Sequence, residues 1–218
     1  MKPADPAPVT TAGAAPDRAR FGLVLLHGRG GAAKDILSLG TALGLPDLAL
    51  AAPQAPGQSW WPTSFLAPTA TMAPHVESGL HAIDAAIAAL NLSRAQIAIA
   101  GFSQGGCLAL EYAARRGDLM AAFGLSAGLV GTSDAGGPAT DALYGHAPKR
   151  FDYTTDLAAM PIHISVHERD PHIPLTRVQQ SAETFCALGA NATLVTAPGA
   201  GHGILQDDVT ALRRVLNR

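Results

Sequence analysis

Aromatic side chains make up only 5% of this 218-residue chain, too few for base stacking or for an aromatic-lined polysaccharide platform. There are two cysteines, Cys107 and Cys186. One bridge falls far short of a disulfide scaffold, so both read as free thiols in a reducing compartment. Charge of one sign is missing as well: Lys+Arg 15 against Asp+Glu 17 leaves −2 at pH 7, and no basic field exists to neutralise phosphates. Nucleic acid is not an expected partner. The N-terminal stretch has no apolar signal core, and no run of 18 apolar residues occurs anywhere to span a bilayer. These absences point to a cytoplasmic protein without stable membrane insertion.

What is there is apolar bulk: 48% hydrophobic residues and a mean hydropathy of +0.18, enough for one large core. Residues 1–20 are spaced by Pro3, Pro6, Pro8 and Pro16 among Ala, Thr and Gly and read as a disordered tail, the alternative being an extension ordered against the body. Residues 21–218 read as a single domain. Short apolar runs at Phe21 to Leu26, Leu48 to Ala52, Gln96 to Phe102, Ala121 to Ser126, Ile162 to Val166 and Ala192 to Thr196 read as strands. They are interleaved with helical patterns at Lys34 to Leu43, Ser78 to Leu90, Gln104 to Arg116, Leu175 to Leu188 and Ile204 to Leu216. Alternation of this kind predicts an α/β fold, because crossover helices bury both faces of a mostly parallel sheet. Two Pro/Gly-rich stretches, 53–75 and 127–157, are too long for ordinary connections and are candidates for function.

Gly101-Phe102-Ser103-Gln104-Gly105-Gly106 lies where a strand meets a helix. Small residues two before and two after a serine let the chain turn sharply enough to lift the hydroxyl above the sheet. A second copy, Gly124-Leu125-Ser126-Ala127-Gly128, also follows a strand, but Gly, Ser, Thr and Pro after it cannot continue as a helix. Without a helix N-terminus Ser126 lacks the dipole and free N–H groups that stabilise an oxyanion. Ser103 is therefore the candidate nucleophile. A serine needs a base, and the base an acid to fix its tautomer. His202 fits as base, in the glycine-rich stretch Pro198 to Gly203 after the last strand. Asp170 fits as acid, set in a turn by Pro171 and Pro174, with Asp152 and Asp156 as alternatives in the loop before that strand. The backbone N–H groups of Gln104 and of Arg29, in the loop His27-Gly28-Arg29-Gly30-Gly31, are the expected oxyanion donors. His27 reads as a structural hydrogen bonder. Trp60, Trp61 and Phe65 are candidates for an apolar acyl wall or, equally, for packing under their loop.

These stretches together, LLHGRGG (25–31), SWWPTSF (59–65), GFSQGG (101–106), RDPHIP (169–174) and PGAGHGI (198–204), resemble the carboxylesterase/phospholipase branch of the α/β hydrolases, which includes the acyl-protein thioesterases. The resemblance runs from residue 21 to the C-terminus. It implies an α/β hydrolase fold with a minimal cap, formed at most by Leu129 to Asp156. It also implies a Ser103, Asp170, His202 triad and cofactor-independent cleavage of short to medium acyl esters, thioesters or lysophospholipids. The partner is then a small acyl ester, and the assembly a monomer or homodimer. Arg29 stands where many relatives carry Leu, so its cation is free either to recognise an anionic substrate group or to turn to solvent or a carboxylate. His167 stands where small residues are usual, without a functional account.

Rival readings fail on particular residues. Gly28-x-Gly30-x-x-Ala33 after a strand imitates a dinucleotide fingerprint, yet the second strand ends in Pro53-Gln54 where a ribose-binding acid is needed. A nucleotide-binding or non-catalytic α/β protein using the Gly28 to Gly31 loop is the alternative. No metal is expected: His163 and His167 share one strand face about 13 Å apart by strand rise. Ser103 in place of cysteine or aspartate excludes cysteine-nucleophile dienelactone hydrolysis and aspartate-nucleophile dehalogenation. Cys107, one helical turn on, is expected in the core.

Overall fold

A computed structural model describes residues 7–15, 17–134 and 146–217. Among these, seven strands form one sheet. They are β1 (Val9–Gly13), β2 (Phe21–Leu26), β3 (Leu48–Pro53), β4 (Ile97–Phe102), β5 (Ala121–Leu125), β6 (Pro161–Arg169) and β7 (Asn191–Ala200), in the order β1-β3-β2-β4-β5-β6-β7. All neighbours are parallel except the β1–β3 pair at one edge. Five helices connect them: α1 (Ala33–Thr41), α2 (Thr69–Leu90), α3 (Gln104–Arg116), α4 (Leu175–Ala187) and α5 (Gln206–Leu216).

The period-2 alternation of strand side chains divides the apolar runs between two cores. Leu23, Leu25, Leu48, Leu50, Ala98 and Ala100 face α1 and α5. Val24, Leu26, Ala49, Ala51, Ile97 and Ile99 face the other way and pack against α2, α3 and α4. Each central strand is thus buried on both faces, which is why these segments carry continuous rather than alternating apolar sequence.

Three differences from the sequence expectation have physical reasons. Val9–Gly13 lies in the stretch expected to be a disordered tail, yet it is β1, an antiparallel edge strand registered from Val9 against Pro53 to Gly13 against Ala49. An edge strand with one neighbour needs little apolar sequence, and VTTAG offers little to read. Helix α2 begins at Thr69, well before Ser78, and carries Pro74 inside it. A proline there, in the second turn, lacks the N–H for its helical bond, which makes the start of the helix look like loop in sequence. The extra turns bury Met72 and Val76, which outweighs that loss. Strand β7 runs on through Pro198 to Ala200, tolerated because a proline at a sheet edge forfeits no inner ladder bond. The segment expected as a partial cap, 129–156, falls partly outside the described residues; of its described part, Leu129, Val130 and Thr132 are buried, and Thr132 accepts the Thr69 N–H at 3.0 Å at the start of α2. No helix among the described residues is long and apolar enough to cross a membrane.

Candidate active site

Strands β2 and β4 are adjacent, with Leu26 opposite Gly101, and β2 runs between β3 and β4 where the strand order reverses. Crevices open at the carboxyl ends of strands at such a point. The loops after β2, β4, β6 and β7 meet there.

At the end of β4, Ser103 adopts φ 53° and ψ −119°, a sparsely populated conformation for a residue with a Cβ. The surrounding glycines explain how it is held. A Cβ on Gly101 would strike the Gly105 carbonyl, and one on Gly105 would strike the carbonyl oxygens of Leu26 and His27. One on Gly106 would lie 2.7 Å from Ala127 Cβ. With the chain pressed this close, the Ser103 N–H donates to Leu125 O at 2.8 Å and the Ser103 carbonyl accepts from Cys107 N at 2.9 Å. The hydroxyl stands at the N-terminus of α3, facing His202.

Ser103 Oγ lies 2.9 Å from His202 Nε2, and His202 Nδ1 lies 2.8 Å from Asp170 Oδ2. The Asp170 side chain is fully buried, and its other oxygen accepts the N–H groups of His172 at 2.8 Å and Ile173 at 3.0 Å. Those two bonds fix the carboxylate so that one oxygen remains for the imidazole. The alternatives Asp152 and Asp156 are not at this site: Asp152 lies at a separate polar cleft with Arg115 and Arg116, and Asp156 accepts from Ala158 N. Phe102 and His172 pack against the His202 ring at centroid distances of 5.1 and 4.9 Å, the second edge-on.

The cavity at Ser103 has a volume of about 650 Å³ and is walled by Trp61, Phe65, Phe102 and Ile173, with Arg29, Gln104 and His172 among its polar lining. Trp61 and Phe65 line this cavity. Trp60 does not: it is buried behind the wall, its indole N–H donating to His27 O at 2.9 Å. Cys107 is buried as expected but also lines the cavity, and burial pushes its thiol up to about 12, so it stays protonated and poorly nucleophilic. Cys186 is exposed.

Among the described residues, the N–H groups of Arg29 and Gln104 have no acceptor. Their side chains, in contrast, are committed. Gln104 accepts the Trp60 N–H at 2.9 Å and donates to Trp61 O at 2.8 Å. Arg29 donates to Pro62 O at 3.2 Å and Thr63 O at 2.5 Å. Arg29 is exposed and pairs with no carboxylate among the described residues; its guanidinium ties the loop after β2 to the cavity wall. His27 is the structural hydrogen bonder of the expectation: Nδ1 donates to Gly28 O at 2.8 Å and Nε2 accepts from Ala55 N at 3.1 Å. Burial, stronger than the opposing pull of the Gly28 carbonyl and Asp35, lowers its pKa from the ordinary 6.5, consistent with a neutral ring used as an acceptor.

The histidines of β6 go to different places. His163 meets Asp208 at 2.7 Å, and His167 packs beneath Gly201, where a Cβ would lie 2.7 Å from its ring. Phe102, His172 and Ile173 are cavity residues that the sequence reading misses. Their only sequence signal is adjacency, Phe102 to the candidate nucleophile and the other two to the candidate acid.

A family model described as the dienelactone hydrolase family matches residues 66–211. The chain belongs to that family. Among solved structures, this dienelactone hydrolase family member is similar to a phospholipase/carboxylesterase from Dyadobacter fermentans DSM 18053, at 34% identity over 97% of each chain with a TM-score of 0.81. It is also similar to esterase PE8, at 25% identity, 97% of each chain and a TM-score of 0.72. SOBER1 from Arabidopsis thaliana shares the fold at 18% identity, covering 92% of this chain and 99% of that one, with a TM-score of 0.69. No curated protein matches the chain by sequence. The fold is that of the α/β hydrolases, and the family is one of hydrolases and esterases.

Proposed function

We propose that this chain is a serine carboxylesterase acting on short to medium acyl esters, in which Ser103, His202 and Asp170 form the catalytic triad. The observation that carries the reading is the continuous hydrogen-bonded line from Ser103 Oγ through His202 to Asp170, set against an apolar cavity. In this mechanism His202 Nε2 takes the Ser103 proton as Oγ attacks the acyl carbon, then passes it to the leaving alcohol or thiol. Asp170 holds Nδ1–H and stabilises the imidazolium, and water cleaves the acyl enzyme by the same route. The free N–H groups of Arg29 and Gln104 receive the oxyanion, each donor worth roughly 3–4 kcal/mol of transition-state stabilisation. Serine at the elbow and a Cys107 thiol held protonated by burial favour this chemistry over attack by a cysteine. Similarity to a phospholipase/carboxylesterase and to an esterase supports a carboxylic ester as substrate, with thioesters and lysophospholipids as further members of the class.

The test is hydrolysis of p-nitrophenyl esters from acetate to palmitate by the wild type and by Ser103→Ala. The expected result is a maximum at short or medium chains and a loss of about 10³-fold or more in kcat/KM on substitution. Ester turnover that survives Ser103→Ala, or none in the wild type, overturns the reading.

A further inference from the structure

His202 stands between two glycines, Gly201 and Gly203, and a Cβ on Gly203 would meet nothing within 4 Å. A side chain there would find no packing partner, and glycine gives the backbone its greatest freedom. The ends of the loop are tied. The Gly199 N–H donates to Glu168 at 3.0 Å, and the Leu205 N–H donates to Asp208 at 2.7 Å. Both ties lie three residues from His202. A nearer one comes from the second Gly-x-Ser-x-Gly turn. Ser126 is wholly buried; its hydroxyl donates to Gly203 O at 2.8 Å and accepts the Gly203 N–H at 3.3 Å.

A hydroxyl bonded to both the N–H and the C=O of one residue fixes the two peptide planes on either side of it. Because the peptide is planar, holding the Gly203 N–H also holds the His202 carbonyl and restrains the His202 Cα. Ser126 does this from a backbone φ of 48°, a conformation glycine would adopt at less cost. What glycine cannot supply is the hydroxyl. We propose that Ser126 is a positioning residue for His202, holding the imidazole in line with Ser103 and Asp170. The inference rests on the triad reading above.

Ser126→Ala and Ser126→Gly separate this role from a general structural one. Both delete the hydroxyl, but glycine relaxes the positive φ and alanine does not, so the glycine variant is expected to be the more stable of the two. If Ser126 positions His202, kcat on p-nitrophenyl butyrate falls about 10- to 100-fold in both, as for a displacement near 1 Å at a reacting group, while KM stays within about twofold. The low-field proton resonance of His202 Nδ1–H, shared with Asp170, broadens or moves in both. Should the alanine variant fail to fold, the glycine variant carries the test. A kcat within twofold of wild type in a folded Ser126→Gly, or an unchanged His202 resonance, overturns the proposal. A wild type without ester turnover defeats the esterase reading instead, and the resonance then decides this one by itself.

Discussion

Two turns in this chain share the pattern Gly-x-Ser-x-Gly, follow adjacent strands of one sheet and place their serines at similar positive φ, 53° for Ser103 and 48° for Ser126. They differ in what comes next. After Ser103 the chain enters α3, whose Gln104 N–H has no acceptor among the described residues, and the hydroxyl faces an open cavity and an imidazole. After Ser126 no helix forms through residue 134, and buried side chains answer the backbone instead. Ser181 accepts the Leu129 N–H and Glu111 the Val130 N–H, while Arg177 donates to the carbonyls of Leu129 and Gly131. The first turn leaves an N–H without an acceptor among the described residues, while the second is tied to buried side chains on both its donors and its acceptors. On the triad reading proposed above, a strained serine turn projects a hydroxyl, and the element after it decides whether that hydroxyl reacts or fastens.

The contrast can be broken at several points. The largest expected effect is the loss of about 10³-fold or more in kcat/KM for Ser103→Ala, against the one to two decades in kcat expected of Ser126→Gly. A larger loss at Ser126 than at Ser103 would invert the assignment. Next comes Glu111, which lies on the helix of the first turn and holds the loop of the second. Burial works against its charge, but Lys149 and Arg115 hold its carboxyl below the usual carboxylate range. It accepts from Lys149 at 3.2 Å and from Tyr153 at 2.7 Å. Glu111→Ala leaves Lys149 buried without its carboxylate partner and is expected to cost about 3–5 kcal/mol of stability, read from the urea midpoint; a loss under about 1 kcal/mol would show that the cluster does not hold the loop.

A smaller change is expected at the first turn's own clamp. Arg29→Met releases the carbonyls of Pro62 and Thr63 but leaves the Arg29 N–H in place, so KM for medium-chain esters should rise about 3- to 10-fold with kcat little changed, the worth of one or two ordinary hydrogen bonds. A collapse of kcat would instead mean that the loop, and with it the proposed oxyanion donor, had moved. Smallest is a pH effect at His27. Its folded pKa lies below 6.5, so its contribution is complete above that value and is lost as pH falls through 6.5 toward the folded pKa. Melting temperatures between pH 7 and pH 5 should fall more steeply for the wild type than for His27→Gln; parallel curves would remove His27 as the cause.

Much of this is legible in the residues, and the misses have causes. Helix α3 can be read to the residue, because it opens at the elbow and closes before Gly117. The triad candidates sit at the ends of three strands, each marked by its own glycine or proline turn. Strand β1 and the first turns of α2 are hidden for opposite reasons, the one by too few apolar residues and the other by an internal Pro74. Trp60 and Trp61 are neighbours in a loop, and nothing periodic tells which of them faces a cavity. Ser126 is legible as a turn without a following helix, which sets it aside as a nucleophile. Its partner Gly203 lies 77 residues away, and only the closing of β5 beside β6 and β7 brings the two together. Pairings of that span, like that of Glu111 with Lys149, leave no local pattern.

The most direct test of which serine reacts is labelling of the wild-type protein with a fluorophosphonate, followed by intact mass and peptide mapping. The account expects one adduct per chain, on Ser103, with Ser126 unmodified. An adduct on Ser126, or an unlabelled protein under conditions where it hydrolyses esters, would contradict it.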